Sequence, residues 1–182
     1  LPIGDELPVG RKVDQPVAIR YLKRFMADYE MESEGEKIVP VTKTKQDRVA
    51  VIGSGPAGLS CAYDLARMGY PVTVFEAETE AGGLMRWGIP EYRLPKKILD
   101  YEIDYIRDLG VDIHTNSRVN SFKEVFGKGY KCVFLGTGAG ISQKMGIPGE
   151  DAEGVIHSLD FLKKVSFGED VDIGKRVVVV GG

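Results

Sequence analysis

The chain has 182 residues, enough for one full-sized domain or for one domain with part of a second. It is 43% hydrophobic and 28% charged, as globular proteins are, and its net charge of −3 argues against a nucleic-acid or acidic-membrane partner. No stretch is apolar for long enough to span a membrane, and we find no signal-peptide pattern at the N-terminus. Cys61 and Cys132 fit neither a disulfide nor a metal-binding spacing; we expect two buried thiols in a cytoplasmic protein.

The first 47 residues differ in pattern from the rest. Apolar residues recur every three or four positions from Ile19 to Tyr29, shortly after Pro16, and predict one amphipathic helix. The charged stretch from Glu30 to Gln46 has no periodicity, which is typical of a linker.

From Arg48 onward, short apolar runs alternate with amphipathic segments. The predicted strands are 49–52, 72–75, 111–114, 132–135 and 176–180, and the predicted helices are 56–68, 96–109, 121–126 and 159–165. Strands that alternate with helices predict an α/β fold with a mainly parallel sheet and crossover connections.

A glycine-rich loop, Gly53-Ser54-Gly55-Pro56-Ala57-Gly58, follows the first predicted strand and enters the first predicted helix. This is the order that a dinucleotide-binding fingerprint requires. Gly53 permits the tight turn, Gly55 leaves room for a pyrophosphate, and Gly58 lets the helix pack close to the strand. The phosphates would meet the free N–H groups at the positive end of the helix dipole.

Glu76 ends the second predicted strand, about twenty residues beyond the loop, where a carboxylate can accept hydrogen bonds from ribose hydroxyls. Because a negative charge there disfavours a 2′-phosphate, the first site is predicted to bind FAD or NAD rather than NADP. A glycine-rich turn beside a surface glutamate is the alternative interpretation.

Three further segments favour FAD over NAD. The pair Gly82-Gly83, followed by Leu84, can bring the backbone to the cofactor a second time. Arg93, in the segment 88–96, can meet a phosphate or hold its loop, or can be solvated. The strand at 132–135 ends in small residues that can pass beside a dinucleotide, namely Gly136-Thr137-Gly138-Ala139. Trp87 is either a neighbour of the flavin or an aromatic anchor of its loop.

Taken in order, these motifs resemble the small (beta) subunit of NADPH-dependent glutamate synthase. They are also similar to the flavin part of dihydropyrimidine dehydrogenase and to the large subunit of ferredoxin:NADP transhydrogenase. The resemblance covers nearly the whole chain, including the N-terminal helix, and rests on 16–29, 49–58, 82–84, 88–90, 93–96, 136–139 and 147–150.

The resemblance implies a flavoprotein that takes electrons from NADPH and passes them through iron–sulfur clusters to a large catalytic subunit or a ferredoxin-type acceptor. It implies a helical segment and linker from an iron–sulfur domain at 1–47, a Rossmann-like FAD-binding domain at 48–173, and the start of an NAD(P)-binding domain at 174–182. Val119 would contact the adenine through its backbone. The residues implied to bind FAD are Gly53, Ser54, Gly55, Pro56, Ala57, Gly58, Glu76, Ala77, Gly82, Gly83, Leu84, Arg93, Val119, Thr137 and Gly138.

No catalytic acid or base and no metal ligand is expected in this chain, because the cofactor carries the redox chemistry. Residues 1–14 contain no cysteine, so the family's [4Fe–4S] ligands are missing there, and 176–182 matches only the opening of a second nucleotide motif. We therefore expect NADPH and [4Fe–4S] binding only in a longer protein, and no hydride transfer by this chain alone. A thioredoxin reductase-like flavoprotein and a non-catalytic nucleotide-binding module remain alternatives.

Overall fold

The computed structural model of the protein describes residues 17–33 and 39–181, which fall into two compact units divided between Lys37 and Ile38. The first unit contains helix α1 (Ile19–Glu32), as its apolar periodicity predicts. Arg24 pairs with Asp28 one turn later at 3.0 Å, a spacing at which opposite charges support a helix. Helix α1 continues two residues beyond the point where the linker was predicted to begin, and Pro16 lies outside the described residues.

The second unit is built on a four-stranded sheet in the order β3-β2-β1-β4, and every pair of neighbouring strands is parallel. The predicted mainly parallel α/β fold is therefore confirmed. Its elements are β1 (Arg48–Ile52), α2 (Pro56–Arg67), β2 (Val72–Phe75), α3 (Leu84–Trp87), α4 (Lys96–Asp108), β3 (Asp112–His114), α5 (Phe122–Gly127), β4 (Tyr130–Leu135) and α6 (Ser158–Ser166).

Alternate residues of β1 pack into different parts of the core, since successive side chains of a strand point to opposite faces of the sheet. Val51 joins a cluster formed with helices α2 and α4. Ala50 joins a smaller cluster with Val125 of α5 and Tyr130 of β4. A strand that is covered on both faces is made of continuous apolar residues, which explains the unbroken run at 49–52.

Strand β1 also defines where a ligand can bind. It pairs with β2 on one side and with β4 on the other, so the order of the strands reverses at β1. In open parallel sheets, ligands bind at the carboxyl end of the strands at such a switch point. The loop that follows β1 is the glycine-rich loop, so the fold places the predicted fingerprint at this position.

Two features differ from the sequence prediction. Residues 176–180 were predicted to be a strand and are not one, because no strand of the described chain pairs with them; Val178 and Val179 are 87% and 81% exposed. Helix α3 was not predicted, because a single turn is too short to show a helical period. Among the described residues, no helix combines the length and apolar character that crossing a membrane requires.

Candidate dinucleotide-binding site

The first turn of α2 presents backbone N–H groups at the carboxyl edge of the sheet. Gly55 is the N-cap residue, no side chain of the described residues caps the helix, and its first turn contains no acidic residue. Pro56 occupies the first turn, where its missing N–H removes no helical hydrogen bond. The partial positive charge of this helix end is therefore available to an anion.

Two glycines of the loop make contacts that no other residue would permit. A Cβ on Gly58 would lie 1.9 Å from the carbonyl oxygen of Gly53, so α2 approaches β1 as closely as the fingerprint predicts. A Cβ on Gly53, whose φ is +98°, would lie 2.4 Å from the carbonyl oxygen of Gly136 at the end of β4. The ends of β1, β4 and α2 are thus packed backbone to backbone.

Gly55 faces open space instead. A Cβ built on it would meet no atom of the described chain within 4 Å. The predicted second glycine contact is also present, because a Cβ on Gly83, at φ +54°, would lie 2.8 Å from the Cα of Gly55. The turn at Gly82-Gly83 therefore lies against the glycine-rich loop, and Leu84 begins α3 directly after it.

Glu76 directly follows β2 and is only 6% exposed, and its carboxylate accepts three hydrogen bonds from described residues. Its Oε2 accepts from the backbone N of Ser54 at 2.9 Å and from Ser54 Oγ at 2.5 Å. Its Oε1 accepts from the backbone N of Glu78 at 2.9 Å. Burying a carboxylate is costly unless such donors satisfy its oxygens. Glu76 is therefore fixed beside the glycine-rich loop.

The other predicted residues lie nearer the surface, although Thr137 adjoins the loop, since a Cβ on Gly53 would lie 3.2 Å from its Cα. Ala57 is exposed at the start of α2, Ala77 is half-buried after β2, and Thr137 and Gly138 are exposed after β4. The chain after β3 passes Glu76, where the N–H of Ser117 donates to the Glu76 carbonyl at 2.7 Å.

Val119 and Arg93 are far from the glycine-rich loop in sequence. Val119 is half-buried against the cluster of Ala50 and Tyr130 and lines a shallow depression with 120–123. Arg93 is exposed in the loop between α3 and α4, where its backbone N donates to the carbonyl of Pro90 at 2.9 Å. The structure thus brings together Gly53 to Gly58, Glu76, Gly82 to Leu84 and Thr137, whereas among the described residues no hydrogen bond or ion pair joins Arg93 to them.

A sequence model of the pyridine nucleotide-disulphide oxidoreductase family matches residues 47–182. The chain belongs to this family. It is 42% identical to the beta subunit of NADP(+)-dependent formate dehydrogenase from Moorella thermoacetica, over 93% of this chain and 28% of that protein. It is 36% identical to the glutamate synthase [NADPH] small chain of Mycobacterium tuberculosis, over 92% of this chain and 37% of that one.

A solved structure of Mycobacterium tuberculosis FprA in complex with NADPH shares the fold, with a TM-score of 0.58 and 24% identity over 66% of this chain and 29% of that chain. The predicted similarity to the glutamate synthase small subunit is confirmed by the sequence identities. The chain spans about a third of the length of these curated relatives, 28% of one and 37% of the other.

Arg86 is a buried basic residue of this family member that sequence analysis missed. Its side chain is 9% exposed; Nε donates to the carbonyl of Ala81 at 2.9 Å, and its other nitrogens meet Asp100 at 2.5 Å and Glu80 at 3.3 Å. Arg86 thus joins α3 to α4 behind the Gly82-Gly83 turn. Its only sequence signal is a basic residue inside an otherwise apolar turn.

Lys96, at the start of α4, holds the same loop from the other end. Its Nζ donates to the carbonyl oxygens of Met85 at 3.1 Å and Ile89 at 2.7 Å. Partial burial lowers the pKa of Lys96, although the neighbouring carboxylate of Glu91 opposes this effect. Arg86 and Lys96 together fix the segment that carries Gly83 and Leu84.

Trp87 is buried in this loop, as its interpretation as an aromatic anchor requires. It is 8% exposed, and its ring lies 3.2 Å from where a Cβ of Gly140 would be. Helix α6 reaches it from outside: Ser166 Oγ donates to the Trp87 carbonyl at 2.9 Å, and Lys163 Nζ lies 5.6 Å from the ring centre. Lys163 also pairs with Glu78 at 2.6 Å, which ties α6 to the end of β2.

The segment after β4 is ordered by Glu150, the acid of the Ile147-Pro148-Gly149-Glu150 motif. Its two carboxylate oxygens accept from the backbone N of Met145 at 2.6 Å and of Gly146 at 2.8 Å. These hydrogen bonds, the Met145 one above all, lower the pKa of Glu150 against the opposing effect of burial. Glu150 therefore holds the backbone of the two residues directly before its motif.

The prediction of two buried thiols is wrong for Cys132. Both cysteines are free, but Cys132 is exposed on β4, because β4 is an edge strand with an uncovered face. Cys61 is half-buried in α2, and burial followed by the charge of Asp64 raises the pKa of its thiol. Within residues 17–33 and 39–181, no group of three or more potential ligands is placed to hold a metal ion.

Proposed function

We propose that this chain is the FAD-binding part of an NAD(P)H-dependent oxidoreductase that passes electrons from NADPH through FAD towards iron–sulfur clusters. One observation carries the proposal: the uncapped N-terminus of α2 meets open space at Gly55, at the switch point of the sheet. An anionic pyrophosphate fits this position, since N–H groups, helix dipole and absent side chain all favour it. Membership of the pyridine nucleotide-disulphide oxidoreductase family supports the same ligand class.

The chain's own residues would bind and orient the cofactor. The N–H groups of the first turn of α2 would hold the pyrophosphate, with Gly55 and Gly83 lining the space beside it. Glu76 would accept a ribose hydroxyl through Oε1, which has one protein donor, whereas Oε2 has two. When bound, FAD supplies the capacity to take up a hydride and to release its electrons one at a time.

The remaining predicted residues complete this proposed site. Ala77 would follow the ribose, Val119 would meet the adenine through its backbone, and Thr137 and Gly138 would lie along the dinucleotide. Arg93 would reach a phosphate only if its exposed side chain turned towards the loop. The buried charge of Glu76 would repel a 2′-phosphate, which supports FAD rather than NADP at this position.

The wider organisation follows from the resemblance. Residues 1–47 would be a helix and linker from an iron–sulfur domain, 48–173 the FAD-binding domain, and 174–182 the start of an NAD(P)-binding domain. NADP(H) as electron donor is supported by the names of the formate dehydrogenase and glutamate synthase relatives. A large catalytic subunit or ferredoxin-type acceptor, a [4Fe–4S] cluster outside this chain and a cytoplasmic location belong to the same proposal.

Flavin binding tests the proposal directly. The purified protein, incubated with FAD and passed through a desalting column, is expected to retain one flavin per chain by its visible absorbance. Gly55→Val extends into the open space, where its Cβ meets no atom of the described chain within 4 Å, so it should leave folding intact and weaken FAD binding by about 2 kcal/mol or more, roughly 30-fold.

Gly127→Val is the matched control. A Cβ there also meets no atom of the described chain within 4 Å, but Gly127 ends α5 away from the glycine-rich loop. FAD affinity should be unchanged in this variant. A wild-type protein that retains no flavin, or a Gly55→Val variant that binds FAD normally, would contradict the proposal.

Hydride transfer from NADPH is proposed to need the parts of the relatives that this chain does not span. Mixed with FAD, NADPH and an artificial electron acceptor, the 182-residue chain is expected to show no turnover above the rate of free FAD. Turnover by the chain alone would overturn this part of the proposal while leaving FAD binding intact.

A further inference from the structure

Ser54, the one residue of the glycine-rich loop with a polar side chain, has a relative exposure of 0%. Its side chain therefore has no surface through which to touch a cofactor. Its hydroxyl instead joins two other segments: Oγ donates to Glu76 Oε2 at 2.5 Å and accepts from the backbone N of Gly82 at 3.0 Å. The loop after β1, the end of β2 and the Gly82-Gly83 turn thus meet at one hydroxyl.

The hydrogen bonds at this point determine what Glu76 can still accept. A carboxylate oxygen accepts about two hydrogen bonds. Among the described residues, Oε2 already takes two, both from Ser54, whereas Oε1 takes one, from the N–H of Glu78. One acceptor position on Oε1 is left, and the two bonds from Ser54 prevent the carboxylate from rotating away from it.

We propose that Ser54 is a positioning and specificity residue, whose hydroxyl acts through Glu76 to direct one carboxylate oxygen at a ribose hydroxyl. This inference rests on the proposed FAD site. It differs from the role that the resemblance implies for Ser54, since the side chain orders the binding groups and does not itself contact the cofactor.

Removal of the hydroxyl has two consequences. Glu76 loses a charge-assisted hydrogen bond, the stronger class, and can turn about its terminal torsion. The buried N–H of Gly82 loses its acceptor and competes for the same carboxylate. Both effects leave Oε1 less firmly oriented. Affinity for the ribose hydroxyls should therefore fall, while the pyrophosphate still binds at the first turn of α2.

The experiment compares ADP with 2′,3′-dideoxy-ADP, which lacks both ribose hydroxyls, by competition against bound FAD. The wild-type protein should prefer ADP by about tenfold to a hundredfold, the range for one hydrogen bond to a charged group. Ser54→Ala should lower this preference to about threefold or less. Ser60→Ala, a serine exposed on α2, is the matched control and should keep the wild-type ratio.

A double-mutant cycle separates positioning from a general loss of structure. In a Glu76→Gln background, Ser54→Ala should change the ADP preference by less than about twofold, because the group through which it acts is already altered. An equal loss in both backgrounds would overturn the inference. If Ser54→Ala does not fold, Ser54→Cys keeps a side chain of the same connectivity with a larger atom and a weaker donor, and a wild-type ratio in that variant would overturn the inference too.

Failure of the proposed site would look different. A wild-type protein that binds neither FAD nor ADP refutes the proposed function, and with it this inference. A wild-type protein that binds ADP and 2′,3′-dideoxy-ADP equally refutes the ribose contact of Glu76. A wild-type preference for ADP that survives in Ser54→Ala refutes the positioning role alone.

Discussion

The runs at 49–52 and 177–180 are both short, rich in valine and followed by a glycine at positive φ, Gly53 at +98° and Gly181 at +93°. The first is β1, with strands on both edges and helices on both faces, and Val51 is 0% exposed. The second forms no strand, and Val178 is 87% exposed. A parallel strand forms only when neighbouring strands pair with it. An apolar run therefore indicates that a segment can form a strand, and the surrounding chain decides whether it does.

Replacing the glycine after each run should give the largest contrast. Gly53→Ala places a Cβ 2.4 Å from the Gly136 carbonyl and also strains φ, so it should lower the free energy of unfolding by about 3–4 kcal/mol. The Cβ of Gly181→Ala meets no atom of the residues that the structure describes within 4 Å, so this variant should cost about 1 kcal/mol or less. Urea denaturation monitored by circular dichroism measures both. Equal effects would mean that the two runs are equally packed in solution.

Truncating a valine in each run should give the next largest difference. Val51→Ala leaves a cavity in the cluster with α2 and α4 and is expected to cost about 2–3 kcal/mol of unfolding free energy. Val178→Ala removes methyl groups that are already in water, and its effect should stay within about 0.5 kcal/mol. Midpoints and slopes of denaturant curves distinguish these outcomes. A substantial loss in Val178→Ala would show that this run is covered in solution.

The smallest effect concerns the segment after β4, where Glu150 orders a turn that has little other regular structure. The lowered pKa of Glu150 means that its stabilising effect is complete above the ordinary carboxyl pKa and is lost as the pH falls through the lowered value. Glu150→Gln should therefore speed hydrogen exchange of the Met145 and Gly146 amides near neutral pH. This difference from wild type should disappear in acid.

Glu153→Gln, at an exposed glutamate in the same segment, is the control for the loss of one negative charge. It should leave the exchange of both amides at the wild-type rate across the pH range. A Glu150→Gln difference that persists below the lowered pKa would show that the amides are held by something other than the carboxylate.

The sequence by itself determined the strands at 49–52 and 72–75, the helices that follow them, and the place of the glycine-rich loop between them. These features depend on local periodicity and on backbone freedom at Gly53 and Gly58, both of which can be read along the chain. The positions of Glu76 and of the Gly82-Gly83 turn near that loop also followed, because parallel strands end at the same edge of a sheet.

Only the tertiary structure decided which groups carry out the contacts at this edge. The pairing of Ser54 with Glu76, the burial of Arg86, the exposure of Cys132 and the unpaired state of 176–180 depend on residues far apart in sequence. The sequence around a serine or an arginine is the same whether its side chain is exposed to solvent or buried. Its partner is set by the packing of separate strands and helices, and the glycine loop alone does not specify that packing.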